Sequence, residues 1–226
     1  LMQLGSVAPE QPEVELEIRR RELRLLNFPL DRTALRTLSV WDNRTDDLRD
    51  ARPGESVDDS TPVLILHLWA TWCTPCKEEF PLWRDVGTSL TAQHKGRVRV
   101  AHVALQSDSS GMADFVNEMQ GKLPFPLEHF DGHERLAEQL RLIDKQMPLP
   151  LTLLLDNGRT VRQAFIGPIS NRRQELVDAT ARLVRLVSKV PAAPGRTVLV
   201  EPISPKPALS SPKPAAPVPV NIYGID

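Results

Sequence analysis

The sequence predicts an α/β fold in which a central mixed β-sheet carries helices on both faces. Apolar runs of strand length recur at residues 63–69, 97–105 and 151–155, and residues 77–93 between the first two repeat at helical spacing. An Asn157-Gly158 turn then joins the third run to a further strand at 160–166, which makes an antiparallel hairpin. The run at 97–105 is apolar on nearly both faces, as a buried parallel strand is. With 226 residues, 41% of them hydrophobic, the chain can bury one good core.

Residues 1–32 are highly charged, and Val14, Leu16 and Ile18 alternate ahead of Arg19, Arg20 and Arg21. They read as a charged N-terminal arm or an edge strand. Residues 42–62, rich in Asp, Arg, Gly and Ser, read as a solvated connection entering the strand at 63–69. In the helix at 77–93, Phe80, Leu82, Trp83, Val86 and Leu90 share one face, and Pro81 predicts a kink. Two short helices are expected near 111–119 and 133–142. A last amphipathic helix at 171–190 turns Leu176, Ala179, Leu183, Leu186 and Val187 inward.

These elements form one domain at residues 33–190. Residues 191–226 include Pro202, Pro205, Pro207, Pro212, Pro214, Pro217 and Pro219, and a segment with so little to bury is expected to be an extended, polyproline-like tail.

The 28 basic and 29 acidic residues leave a net charge of −1, which offers no electrostatic footprint for nucleic acid or an anionic membrane surface. No window approaches the roughly 20 apolar residues of a membrane-spanning helix. Because the chain starts at Leu1 rather than Met, an export signal or lipid anchor is expected to have been lost upstream.

The chain has two cysteines, Cys73 and Cys76, directly after the strand at 63–69. Two thiols three positions apart at a helix start can close a small disulfide ring, and the unpaired N–H groups there favour a thiolate on the first sulfur. Cys73 is thus expected to be the exposed nucleophile, with Cys76 shielded one turn inside as the resolving thiol. Pro75 suits the first helical turn, where its missing N–H costs little. Lys77 reads as a solubilising surface residue, since exposed charges are heavily screened. Three other readings stand beside this one. They are a zinc half-site completed by His129 and His133, a pair of inert buried cysteines, and a docking module with silent thiols. The zinc reading lacks a second cysteine pair, and Phe130-Asp131-Gly132 between the histidines reads as a turn.

The stretch Trp69-Ala70-Thr71-Trp72-Cys73-Thr74-Pro75-Cys76-Lys77-Glu78-Glu79-Phe80-Pro81 resembles the thioredoxin superfamily, specifically its TlpA/ResA-like branch of exported bacterial thiol–disulfide oxidoreductases. The resemblance covers about residues 33–190. It implies the thioredoxin fold and disulfide exchange with protein substrates, without a metal or organic cofactor. It also implies a reductase of the periplasm or cell envelope, recharged by a membrane thiol carrier, with cytochrome c maturation among the tasks of the branch. Trp72, Thr74 and Pro75 fall in the active-site segment. Leu149-Pro150-Leu151-Thr152-Leu153-Leu154-Leu155-Asp156 resembles the family loop whose cis-proline faces the cysteines. Pro150 is then the cis residue, with Pro148 in reserve, and Leu149 offers its backbone to the substrate. Gly167 matches a third family position. Glu79 takes the place of an acid near the thiols and, if buried, can relay protons between the sulfurs.

Two departures stand out. His67 occupies a strand position that is often an acid in thioredoxins and commonly Asn in this branch, and an imidazole there can act as a base beneath Cys76 or remain a hydrogen-bonded core residue. The connection at 142–150 is longer than usual, which bears on partner choice. A thiol peroxidase needs its cysteine in a different local frame from Trp-Cys-Thr-Pro-Cys.

Overall fold

The computed structural model describes residues 12–31, 39–42, 44–45, 47–50, 61–105, 109–119, 127–129, 139 and 148–189. The elements in chain order are α1 (Pro12–Arg24), β1 (Ser39–Asp42), β2 (Asp47–Asp50), β3 (Val63–Trp69), α2 (Thr74–Gln93), β4 (Val98–Ala104), α3 (Ser109–Glu118), β5 (Leu127–His129), β6 (Leu151–Leu155), β7 (Val161–Ile166) and α4 (Arg173–Lys189). A 3₁₀ turn, Ser170–Arg172, leads into α4. Among the described residues the strands form one mixed sheet of order β2-β1-β5-β4-β3-β6-β7. This is a thioredoxin-like α/β sheet.

β3 lies in the interior of the sheet, where all seven of its residues, apolar except for His67, are buried. It pairs parallel with β4 and antiparallel with β6, so that His67 stands opposite His102 on one side and Thr152 on the other. Side chains alternate between the two faces of the sheet. Leu64, Leu66 and Leu68 pack with Ala101, Val103, Leu151 and Leu153 on one face, which Leu25 and Leu30 cover. Val63 and Ile65 point the other way, onto Trp83, Val86 and Leu90 of α2 and Leu176, Leu183 and Val184 of α4. The helix α2 runs on through Pro81 without interruption.

Four expectations are corrected. Residues 12–24 form a helix rather than an edge strand, and residues 12–31 pack into the domain rather than stand off as an arm. Pro12 suits the first turn, Glu13 and Glu15 sit at the positive end of the helix, and Arg21 and Arg24 at its negative end. The alternation of Val14, Leu16 and Ile18 misled because the inward residue at helical spacing from Ile18 and Leu25 is a charged one, Glu22. Glu22 is buried where Arg172 Nη2 donates to it at 3.0 Å and the Ile166 N–H at 2.8 Å. After α1, Asn27 adopts a positive φ of 63°. The Asn27 and Leu30 N–H groups then bond the carbonyls of Val161 and Arg159.

The stretch 42–62 is not all connection, since β2 pairs antiparallel with β1 within it. As a polar edge strand, Asp-Leu-Arg-Asp, it shows no apolar alternation. Asp42 closes this hairpin by accepting from the Arg44 N–H and the Arg49 guanidinium, each at 3.0 Å. The hydrogen bonds from the backbone and side chain of Arg44, with that from Arg49, lower its pKa to about 2.

Third, Leu186 is 63% exposed instead of buried. The inward face of α4 is centred on Thr180, Leu183 and Val187, about a quarter turn away at 100° per residue. The fourth correction, the burial of Cys73, belongs to the site below. Apart from Gln139, which is helical, the expected helix at 133–142 lies outside the described residues, as do the long connection through residue 147, the His133 side chain and the tail at 191–226.

Candidate active site

β3 ends at Trp69, and a tight turn follows in which the Cys73 N–H bonds the Ala70 carbonyl at 3.0 Å. Cys73 is the N-cap of α2 with an extended ψ of 99°, and its carbonyl accepts from Cys76 N and Lys77 N, both at 3.1 Å. Pro75 occupies the first turn, as its lack of an N–H allows. Cys73 and Cys76 are joined in a disulfide with Cα atoms 5.3 Å apart. The positive end of a 20-residue helix therefore sits at the pair.

Cys73 is only 4% exposed and Cys76 fully buried. The order of accessibility matches the expectation, but the expected exposure of Cys73 is corrected, because its sulfur is tied to Cys76 and packs with Trp41, Trp69, Phe80, Met112 and Phe115. The ring presents Trp72, 60% exposed, together with the exposed Thr74 and Pro75.

The Leu149-Pro150 bond is cis. Leu149 is partly buried against the cysteine cluster, and the Pro150 carbonyl accepts from Gly167 N at 2.9 Å. Gly167 has a φ of +86°, a conformation that glycine adopts without strain. The loop following β7 is thus tied to the cis-proline.

A buried polar cluster forms around Glu79 and His67. Glu79, 3% exposed, is carried inward on α2 three residues after Cys76. Its Oε1 accepts from Trp83 Nε1 and its Oε2 from Ile169 N at 3.2 Å. His67 Nε2 is 3.4 Å from Glu79 Oε1, and His67 Nδ1 is 3.0 Å from Nδ1 of His102. The His67 ring stacks on Trp83 with centroids 4.8 Å apart. Burial, reinforced by the neighbouring His67, holds His102 well below the ordinary imidazole range.

The structure thus brings Glu79 and His67 together and places Leu149 against the cysteine cluster. Lys77 is turned toward α3, where its Nζ meets Glu118 at 2.7 Å. His102 was missed by sequence reasoning. Its signal was a histidine in a largely apolar strand, and only the β3–β4 register shows that it meets His67. Among the described residues no group of three or more His, Cys, Asp or Glu side chains is arranged to hold a metal ion.

Residues 55–164 match the model of the AhpC/TSA family. The chain is 29% identical over 150 residues to thiol-disulfide oxidoreductase ResA of Oceanobacillus iheyensis, covering 59% of this chain and 72% of that protein. It is 26% identical to sporulation thiol-disulfide oxidoreductase A of Bacillus subtilis, over 51% of this chain and 66% of that protein. With thiol:disulfide interchange protein DsbE of Yersinia pestis it shares 28% identity, over 56% of this chain and 63% of the relative. The crystal structure of StoA from Bacillus subtilis overlays with a TM-score of 0.45 at 23% identity, over 65% of this chain and 98% of that one. Carrying the cysteine pair that such exchange requires at the start of α2, the chain is similar to the thiol–disulfide oxidoreductases ResA and DsbE.

Proposed function

We propose that this chain is a disulfide reductase of the bacterial cell envelope, recharged by a membrane thiol carrier, with the cysteine pairs of apocytochromes c among its substrates. The observation that carries the chemistry is a closed Cys73–Cys76 pair at the N-terminus of α2, with Leu149 of the cis Leu149-Pro150 bond packed against its cluster. The resemblance to the TlpA/ResA-like branch supports the compartment, the carrier and the direction.

In the dithiol form the Cys73 thiolate, favoured by the helix terminus, attacks a substrate disulfide and expels one substrate thiolate. Leu149 offers its backbone to the substrate segment, while Trp72, Thr74 and Pro75 form the surface it meets. Glu79 takes the Cys76 proton, with His67 holding the carboxylate in place. The Cys76 thiolate then attacks Cys73 Sγ, closes the ring and expels the second substrate thiolate, which collects the proton. Two electrons have passed to the substrate, and the carrier returns two to the disulfide.

Equilibration in glutathione or dithiothreitol buffers, followed by alkylation and mass analysis, tests this, with Cys73→Ala and Cys76→Ala as controls. A potential near −270 mV supports a reductase, whereas one near −120 mV makes the protein an oxidant. A pair that never exchanges leaves a thioredoxin fold used for docking.

A further inference from the structure

His102 is a second buried imidazole that the exchange chemistry above does not use. It stands beside His67 in the parallel β3–β4 register, with the two Nδ1 atoms 3.0 Å apart. Only one hydrogen fits between two ring nitrogens at that distance, so one ring donates there and the other accepts. At the far side of His67, Nε2 lies 3.4 Å from Glu79 Oε1, a close electrostatic contact that is not aligned as a hydrogen bond.

That arrangement has a preferred polarity. Trp83 Nε1 and Ile169 N both point hydrogens at the Glu79 oxygens, a setting that suits a carboxylate. If His67 kept its hydrogen on Nδ1, the bare Nε2 would turn a lone pair toward that carboxylate. With the hydrogen on Nε2 the contact becomes favourable, and Nδ1 must then accept from His102. Among the described residues, the polar groups about His67 include Glu79 from α2 and the neutral Thr152 opposite it on β6, and the Ile169 N–H before α4 meets Glu79. The rings of Phe80 and Trp83 complete the cage, their centroids 6.0 and 5.4 Å from that of His102.

We propose that His102 is a positioning residue for the proton relay: by donating its Nδ1–H to His67 Nδ1 it confines the His67 proton to Nε2, so that His67 does not compete with Glu79 for the proton of Cys76. The depressed basicity of buried His102 agrees with a neutral ring that has one N–H to place. The proposal rests on the relay reading of Glu79 given above.

Two measurements on the full chain test it. Nitrogen-15 NMR of the imidazoles is expected to show His67 protonated at Nε2 and bare at Nδ1, and a His67 proton on Nδ1 overturns the proposal. The pH profile for reduction of a disulfide peptide is then compared for wild type, His102→Leu and His102→Gln. Leucine removes the donor and leaves His67 free to take a second proton, so the midpoint is expected to rise by about one unit, a tenfold loss of rate below it. Glutamine supplies an N–H that does not titrate and is expected to restore the wild-type profile. A leucine profile superimposable on wild type, or a glutamine profile displaced like that of leucine, overturns the positioning role. If the wild type exchanges no disulfide at all, the functional reading falls and the tautomer measurement still decides His102.

Discussion

Two buried glutamates grip the same loop from opposite sides of the sheet, and they differ in what faces them. Glu22 on α1 accepts from Ile166 N, and Glu79 on α2 accepts from Ile169 N. Between these points Gly167 N bonds the carbonyl of the cis-proline. Glu22 faces Arg172, whose charge burial opposes but whose hydrogen bonds to Glu22 and Glu175 raise its pKa well above the ordinary value. A guanidinium so held does not release a proton, and the cluster can only be structural. Glu79 faces the ring of His67 instead, with the Trp83 and Ile169 N–H groups as its donors. Burial alone therefore does not mark a working carboxylate; under the function proposed above, Glu79 can take a proton because no fixed positive charge holds it.

Substitutions can break this contrast. Glu22→Ala strands a buried guanidinium and is expected to cost about 3 kcal/mol in chemical denaturation, while the pH profile of exchange keeps its shape. A displaced profile would erase the distinction between the two clusters. Glu79→Gln is expected to slow disulfide reduction about a hundredfold, close to 2.7 kcal/mol of barrier, with a smaller loss of stability than Glu22→Ala. Unchanged turnover would make Glu79 structural too.

Glu175 sharpens the structural side. The hydrogen bond from Arg19, supported by Arg172, lowers its pKa from 4.5 to about 2. A depressed carboxyl stabilises the fold above its unfolded value, and that contribution disappears as pH falls from about 4.5 toward 2. Acid titrations of wild type and Glu175→Gln are expected to diverge above that window, by only about 0.5 kcal/mol because the pair is partly solvated, and to converge below it. Smallest of all, Lys77→Ala removes a pair with the exposed Glu118 and is expected to change stability by about 0.3 kcal/mol and exchange less than twofold.

The catalytic end was legible in sequence because its signals are local. β3 announces itself by apolar residues alone, Cys73 to Cys76 by spacing, and α2 by its period. Pro150 was found through resemblance to a family loop, and its bond is cis. What stayed hidden depends on distant partners. Glu22 reads as a surface charge until Arg172, 150 residues on, is placed against it. β2 has meaning only beside β1, and His102 only in register with His67. Leu186 fell on the wrong side because a run of leucines and valines leaves the centre of a helix face ambiguous by a quarter turn.

The docking of α1 has a practical side for anyone shortening this protein. A cut at residue 33, where composition changes, removes Leu25 and Leu30 from one face of the sheet and Glu22 from Arg172. The Ile166 N–H would lose its acceptor next to the glycine that holds the cis-proline. A shortened version should therefore start ahead of Pro12, even though residues 12–31 contribute nothing to the cysteine cluster.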